Sequence, residues 1–203
     1  MADSQPPAVE GPSARAQLDT ELWTRWADGD DDAGNSLVRH YFPAVFRFFD
    51  RRVATRAEEL TQATFLACVE HRERFRGDST VRSYIFGVAR IQLLRHLSGR
   101  GVDAASLVSH VSIDDIRTTP SARIDREHAR AALQDAMGGL TTDQQMLIEL
   151  HYWQGLSLAE LAAVFDTPRG TFKSRLSRAR DVLRKQLQAS GADAIIDAVL
   201  GSP

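Results

Sequence analysis

Hydrophobic residues recur at three- and four-residue spacing along most of the chain, which is the period of an amphipathic helix. The pattern predicts helices over residues 18–27, 33–52, 56–74 and 80–97, and no stretch alternates for long in the manner of a β-strand. On the second of these helices the predicted core stripe is Leu37, Tyr41, Val45, Phe48 and Phe49, and on the fourth it is Val81, Tyr84, Ile85, Val88 and Ile91. The pattern therefore predicts an all-α fold.

Prolines, glycines and polar clusters divide this helical pattern into parts. Residues 1–16 are rich in proline and lack aromatic side chains, which predicts a disordered tail. The pattern weakens again over residues 101–124, where we predict a flexible linker. Two small helical domains are thus expected at residues 17–100 and 125–188. Residues 189–203 form a C-terminal tail with enough apolar residues for a short helix.

Several single residues carry local predictions. Pro43 should bend or weaken the second helix, because proline removes a backbone hydrogen bond. Gly138, Gly139 and Gly155 follow predicted helices, where glycine can adopt the left-handed conformation of a C-cap. The run of acids at residues 28–32 is suited to the start of the next helix.

Charge is distributed unevenly along a chain whose formal net charge is only −2. Residues 71–100 carry seven arginines and two acids, and residues 169–203 carry seven basic residues and three acids. Residues 131–168 carry five acids and neither lysine nor arginine. For one basic block taken alone, a solvated helix face is as good an explanation as contact with a polyanion. Two such blocks at the ends of two helical units favour contact with a polyanion.

Length and composition exclude several classes of protein. With 203 residues, 43% of them hydrophobic, the chain can bury the cores of two small domains. A single cysteine, Cys68, excludes a disulfide framework and a multi-cysteine zinc site. No apolar run approaches the roughly 18 residues of a membrane span, and residues 1–13 lack the pattern of a secretory signal. We expect a cytoplasmic protein without membrane insertion, cofactor, metal or catalytic site.

The most specific pattern lies in residues 154–187. Ser157 and Glu160 have the spacing of a capping box at the start of a short helix. Thr167 is placed to cap the next helix, with Pro168 at its first position. That helix has the apolar stripe Phe172, Leu176, Ala179, Leu183 and Leu187, while its outer side carries Arg169, Gly170, Thr171, Lys173, Ser174, Arg175 and Arg178. This arrangement is typical of a helix-turn-helix, whose second helix enters the DNA major groove. A helical hairpin with a merely solvated basic face is the alternative.

Short motifs occur in a definite order along both predicted domains. The N-terminal motifs are AEELTQATF at residues 57–65, RFRGDS at 74–79 and YIFGVAR at 84–90. The C-terminal motifs are LSLAELA at residues 156–162 and PRGTFKSRLSRAR at 168–180. Together, over about residues 18–187, they resemble the extracytoplasmic-function group of bacterial RNA polymerase sigma factors. The resemblance implies a subunit, not an enzyme, that directs core polymerase to a small set of promoters.

The resemblance also implies a role for each domain. The domain at residues 17–100 is expected to bind core polymerase and the minus-ten promoter element, and the domain at 125–188 the minus-thirty-five element. Docking on the clamp helices of the β′ subunit is expected through Glu58, Glu59, Gln62 and Phe65, with the β subunit as a second contact. Minus-ten contacts are expected from Phe75, Arg76, Gly77, Asp78, Ser79, Arg82 and Arg90. Minus-thirty-five contacts are expected from the outer side of the second helix of the helix-turn-helix, namely from Arg169, Gly170, Thr171, Lys173, Ser174, Arg175 and Arg178. An anti-sigma factor is the expected inhibitor.

Two alternatives remain open from the sequence. One is a stand-alone helix-turn-helix regulator that binds duplex DNA and never engages polymerase. The other is a sigma-like adaptor that acts chiefly through protein contacts. Ala63, Ile91 and Arg95 stand where the family commonly has other residues, and they keep these alternatives open.

Overall fold

The computed structural model describes residues 14–99 and 123–200, and all regular elements in these two ranges are helical. The predicted all-α fold is confirmed. Residues 14–99 form an N-terminal helical unit, and residues 123–200 form a C-terminal helical unit. The predicted linker falls almost wholly between the described ranges, and residues 1–13 of the predicted tail also lie outside the described residues.

The N-terminal unit consists of α1 (Ala14–Ala27), α2 (Asp31–Val53), α3 (Ala57–Glu70) and α4 (Val81–Gly99). Asp30 begins α2, since its carboxylate accepts a hydrogen bond from the Ala33 amide at 3.1 Å. The acidic run therefore serves as a helix start, as predicted. Helix α2 continues through Pro43.

The core of this unit is aromatic. Phe48, Phe49 and Phe86 are completely buried, and every residue of the predicted stripe on α2 is buried. A second aromatic cluster forms around Trp23, whose ring centroid lies 5.1 Å from that of Phe75 and 5.2 Å from that of Tyr84. This cluster fixes the start of the loop between α3 and α4 against α1.

Three predictions for this unit are wrong in detail. Helix α1 begins at Ala14, so the last residues of the predicted tail are helical. Helix α3 ends at Glu70 and is followed by a separate 3₁₀ turn, Arg72–Arg74. Ile91 is 48% exposed because successive three-residue steps each fall short of a full turn by about 60° and carry it off the core face. The buried face of α4 instead follows Ile85, Ala89 and Leu93.

The C-terminal unit consists of α5 (Arg123–Gly138), α6 (Thr142–Ile148), α7 (Leu158–Phe165), α8 (Arg169–Ala189) and α9 (Ile196–Leu200). A π-helical turn, Glu149–Trp153, extends α6. Capping boxes begin α6 at Thr141 and α7 at Ser157, where the side chains of Gln144 and Glu160 complete them. The predicted stripe on α8 is buried throughout.

The turns of this unit correct the prediction in two places. Gly155 is left-handed with φ +70°, as predicted, but Gly138 and Gly139 are not among the glycines with positive φ. Thr167 does not cap α8, because its hydroxyl donates to the Phe165 carbonyl instead, and Pro168 precedes the first helical residue. The turn is made by Asp166, which is left-handed with φ +48°.

The C-terminal tail docks on the unit that precedes it. After a 3₁₀ turn, Asp193–Ile195, the short helix α9 contacts α8. Four apolar side chains of this segment are buried: Ile195, Ile196, Val199 and Leu200. The short helix for which the tail has enough apolar residues therefore forms and packs on α8.

The two units pack against each other, mainly through α4 and α7. At the point of approach, a Cβ added to Gly87 of α4 would lie 3.9 Å from the Val164 backbone of α7. This packing brings residues of the two predicted domains into direct contact.

Candidate nucleic-acid and protein interfaces

Helix α8 presents the predicted DNA-reading face to solvent. Arg169, Gly170, Lys173, Ser174, Arg175 and Arg178 are exposed, and Thr171 is half-buried. On the opposite side Phe172 and Leu176 are buried and hold the helix against the rest of the unit. A Cβ at Gly170 would meet no atom within 4 Å, so the backbone there is open to close approach. Exposed basic and small polar groups on one helix can hold phosphates and reach base edges.

The loop between α3 and α4 forms a cleft of about 380 Å³. Phe75 and Tyr84 line it with aromatic surface, and the remaining lining residues are Arg74, Arg76, Asp78 and Ser79. Gly77 has φ +77° and allows the sharp turn at the rim. A cleft with aromatic walls and polar groups is suited to an unstacked base. The structure thus brings together the predicted residues from Phe75 to Ser79.

Arg82 and Arg90, predicted to continue this surface, contact the C-terminal unit instead. The Arg82 guanidinium lies 2.9 and 3.0 Å from the two carboxylate oxygens of Glu160, on α7. It also donates to the carbonyl oxygens of Gln154 and Gly155 at 3.1 and 3.3 Å. The Arg90 guanidinium lies 4.7 Å over the Phe165 ring and 3.5 Å from the Asp143 carboxylate.

The carboxylate of Glu160 therefore takes part in two structures, the N-terminal cap of α7 and the contact between the two units. One carboxylate oxygen accepts a hydrogen bond from the Ser157 amide at 2.9 Å and completes the cap of α7. The other accepts from the hydroxyl of Thr80 at 2.8 Å and from Arg82. Burial alone raises the pKa of Glu160, but the hydrogen bonds from Ser157 and Arg82 outweigh it and hold the pKa below its usual value. The carboxylate is charged at neutral pH.

Three of the four residues predicted for docking lie on the exposed face of α3. Glu58, Glu59 and Gln62 are exposed, as a docking surface requires. Phe65 is only 7% exposed and stacks on Phe42, with ring centroids 6.1 Å apart. The side chain faces the core in this structure, and its role as a direct contact stays a prediction.

Two residues missed by the sequence analysis complete that face. Leu66 is 57% exposed and Val69 is 41% exposed. Leu66 lies one turn beyond Gln62 and Val69 one turn beyond Leu66, on the same side of the helix. Residues 60–69 carry apolar residues on all sides of the helix, so periodicity gave no signal to separate the inner from the outer ones.

A buried charge cluster between the units was also missed. Glu149, in the π-helical turn, is completely buried and pairs with Arg51 and with Arg52, the latter at 2.6 Å, both from α2. Aromatic rings cover the two guanidinium groups: Trp153 lies 5.1 Å from Arg51 and Phe48 4.5 Å from Arg52. Burial lowers the pKa of Arg52, and the Glu149 carboxylate opposes that shift.

The described residues offer little other chemistry. They contain no cluster of three potential metal ligands, and no helix among them is long and apolar enough to cross a membrane. Cys68 is buried, and burial raises the pKa of its thiol to about 12. The thiolate needed for nucleophilic or redox chemistry is therefore scarce at neutral pH.

Family models account for both units. Residues 37–117 match region 2 of the sigma-70 family, and residues 130–183 match region 4. The chain belongs to the sigma-70 family. Together these matches span more than half of the sequence, in the order predicted from the motifs.

Curated relatives place this sigma factor in the extracytoplasmic-function group, as predicted. It is 28% identical over 184 residues to the RNA polymerase sigma-H factor of Pseudomonas aeruginosa, covering 85% of this chain and 95% of that protein. It is 28% identical over 181 residues to the ECF RNA polymerase sigma-E factor of Escherichia coli K12, covering 84% and 94%.

Solved structures show a similar fold. CnrH in complex with the cytosolic domain of CnrY matches with a TM-score of 0.60 at 24% identity, over 85% of this chain and 98% of that one. The sigma factor RpoE of Bartonella quintana, in complex with the anti-sigma factor NepR, matches with a TM-score of 0.58 at 24% identity. The match covers 76% of this chain and 96% of RpoE.

Proposed function

We infer that this sigma factor docks on core RNA polymerase through α3, captures the minus-ten element at the α3–α4 loop and reads the minus-thirty-five element with α8. The observation that carries this division of labour is the match to regions 2 and 4 in one chain. The exposed faces of α3 and α8 support it. A stand-alone regulator needs no region 2, so that alternative is disfavoured.

Further partners follow from this role. The chain acts as a transcription initiation factor without catalysis of its own, and it acts in the cytoplasm, where polymerase and promoters are found. CnrH is described in complex with the cytosolic domain of CnrY, and RpoE in complex with the anti-sigma factor NepR. By analogy, an anti-sigma factor holds this sigma factor inactive until a signal releases it.

The docking surface is tested by binding to purified core polymerase. Leu66→Asp places a charge in the middle of the exposed apolar part of α3, next to Gln62. We expect the affinity for core polymerase to fall about thirtyfold or more, the effect of losing a central interface residue of about 2 kcal/mol. Co-elution of the two proteins on a sizing column measures the change at micromolar concentration.

The control is Glu21→Gln, at an exposed position of α1 outside the proposed surfaces. It should co-elute like the unmodified chain, and circular dichroism should show that both variants are folded. If the Leu66→Asp chain binds core polymerase as well as the control, α3 is not the docking helix. If the unmodified chain does not bind, the sigma-factor role itself is wrong.

The DNA-reading face is tested by Arg178→Ala in the reconstituted holoenzyme. We expect the affinity for a promoter fragment, identified by run-off transcription, to fall by about 1–3 kcal/mol if Arg178 contacts a base, with relaxed preference at that base pair. A phosphate contact would instead lower the salt dependence of binding by about one unit of slope. Titration of labelled fragments at several salt concentrations distinguishes the two, and unchanged binding at all of them removes Arg178 from the interface.

A further inference from the structure

A residue outside the lining of the α3–α4 cleft contacts both of its aromatic walls. The walls are Phe75 and Tyr84. The ring of Trp23, on α1, is tilted by 54° to Phe75 and stands at 77° to Tyr84. Phe75 and Tyr84 also contact each other, with ring centroids 5.5 Å apart. The three rings therefore form a closed set, in which each ring packs on the other two.

Hydrogen bonds from the same side chains hold the backbone that enters the loop. The indole N–H of Trp23 donates to the carbonyl oxygen of Arg72 at 3.1 Å, across 49 positions of sequence. The hydroxyl of Tyr84 donates to the carbonyl oxygen of His71 at 3.4 Å. Both carbonyls stand at the 3₁₀ turn that precedes Phe75. Trp23 and Tyr84 thus each fix the turn by a hydrogen bond and Phe75 by ring packing.

The anchor and the loop differ in exposure. Trp23 is only 2% exposed, whereas Arg74, Arg76, Gly77 and Asp78 are exposed. Exposed loops are among the least stable parts of a folded protein, and ordering them when a ligand binds costs affinity. A buried anchor at the base of the loop reduces that cost, because the walls of the cleft are already oriented before binding.

We propose that Trp23 is a positioning residue for base capture: it holds Phe75 and Tyr84 at the separation and angle that accept an unstacked base, although it does not itself line the cleft. This inference rests on the proposed function, because it assumes that the cleft captures a base of the minus-ten element. Stacking of a base requires a free ring face. Rotation of Phe75 should therefore weaken capture, while docking through α3 is unaffected.

The experiment measures capture in the holoenzyme reconstituted from the full chain and core polymerase. The probe is a promoter fragment, identified by run-off transcription, whose minus-ten element is single-stranded on the non-template strand. A series of fragments carries an abasic site at successive positions of that element. The position at which loss of the base weakens binding by the unmodified holoenzyme marks the captured base.

Trp23→Phe keeps an aromatic ring beside Phe75 and Tyr84 but removes the N–H that donates to Arg72. We expect about three- to tenfold weaker binding of the intact fragment, the effect of losing one hydrogen bond that orders the site. On the fragment that is abasic at the captured position, the variant and the unmodified chain should bind alike. A general loss of stability would weaken both fragments equally, so this comparison isolates positioning.

Tyr41→Phe is the matched control. The Tyr41 hydroxyl donates to the buried carboxylate of Asp19, on the side of α1 that faces α2. This variant therefore also loses one buried hydrogen bond of α1 and keeps its ring, but it leaves the contacts of Trp23 in place. It should bind the intact and abasic fragments like the unmodified chain. Circular dichroism and co-elution with core polymerase should show that both variants fold and dock.

Two results would overturn the inference. One is that Trp23→Phe binds the intact fragment as tightly as Tyr41→Phe does. The other is that Trp23→Phe weakens binding of the intact and abasic fragments equally, since Trp23 would then stabilise the unit without positioning the cleft. Failure of the proposed function looks different, and the inference falls with it: the unmodified holoenzyme would bind every abasic fragment as well as the intact one, or would not form.

Discussion

Glu149→Ala is expected to uncouple the two units. The substitution removes the carboxylate that pairs with both Arg51 and Arg52 in a completely buried cluster. Removing one partner from a buried ion cluster costs about 3–5 kcal/mol, because the remaining charge stays desolvated. Separation of the units returns both arginines to water, so the chain can escape this cost by opening. We therefore expect the lost free energy to appear as a weaker contact between the units.

Urea unfolding measures this uncoupling with probes in both units. Trp23 and Trp26 report on the N-terminal unit, and Trp153, next to Arg51, reports on the C-terminal unit. The unmodified chain should lose its helical circular dichroism and its tryptophan signal together, whereas Glu149→Ala should separate the transitions. A single coincident transition within about 0.5 kcal/mol of the unmodified chain would contradict this expectation.

A triple variant distinguishes charge burial from packing. Replacing Arg51, Arg52 and Glu149 together by methionine removes all three charges and keeps side chains of substantial volume. Such apolar replacements of buried ion clusters are often neutral or stabilising. Coupling should therefore return in the triple variant. If it does not, the specific geometry of the cluster, and not the buried charge, holds the units together.

Local features of this fold could be predicted because they depend on residues close together in sequence. The capping box at Ser157 needs only Glu160, three residues later, and the stripe of α8 needs only the helical period. Prediction from neighbouring residues failed where one side chain can form either of two local hydrogen bonds. Thr167 can cap the next helix or bond the preceding turn, and it does the latter.

The contacts between units could not be predicted, because nothing in the local pattern selects a partner at long range. Arg82 and Glu160 are 78 positions apart, and Arg51 and Glu149 are 98 apart. Each residue had a sufficient local explanation: Arg82 as part of a basic block, Glu160 as a helix cap. The motifs and the exposed residue types therefore predicted where the candidate site lies. Tertiary packing, in contrast, determines whether Arg82 and Arg90 are available to bind DNA.

Gly34→Ala is expected to destabilise the N-terminal unit although it improves the helix. Alanine in place of glycine inside a helix such as α2 contributes about 1 kcal/mol by propensity. An added Cβ at Gly34, however, would lie only 2.3 Å from the indole nitrogen of Trp26, which is 5% exposed. Overpacking a core in this way costs about 1–3 kcal/mol, occasionally more. We expect a net loss of up to about 2 kcal/mol in the free energy of unfolding, measured in urea.

Gly99→Ala is the matched control, since its Cβ would meet no atom within 4 Å at the end of α4. It should stay within about 0.5 kcal/mol of the unmodified chain, as other surface substitutions do. Trp26→Phe in the Gly34→Ala background removes the clashing part of the indole and should recover part of the loss. Equal stability of the Gly34→Ala and Gly99→Ala variants would show that the indole moves aside freely.

The consequence for function follows from the aromatic contacts beyond Trp26. Its ring packs on Trp23 with centroids 5.1 Å apart, and Trp23 packs in turn on Phe75 at the start of the α3–α4 loop. A displaced Trp26 should therefore disturb the cleft at that loop as well as the stability of the unit. In the holoenzyme, Gly34→Ala should weaken minus-ten capture more than binding to core polymerase, because α3 reaches its partner through a different face.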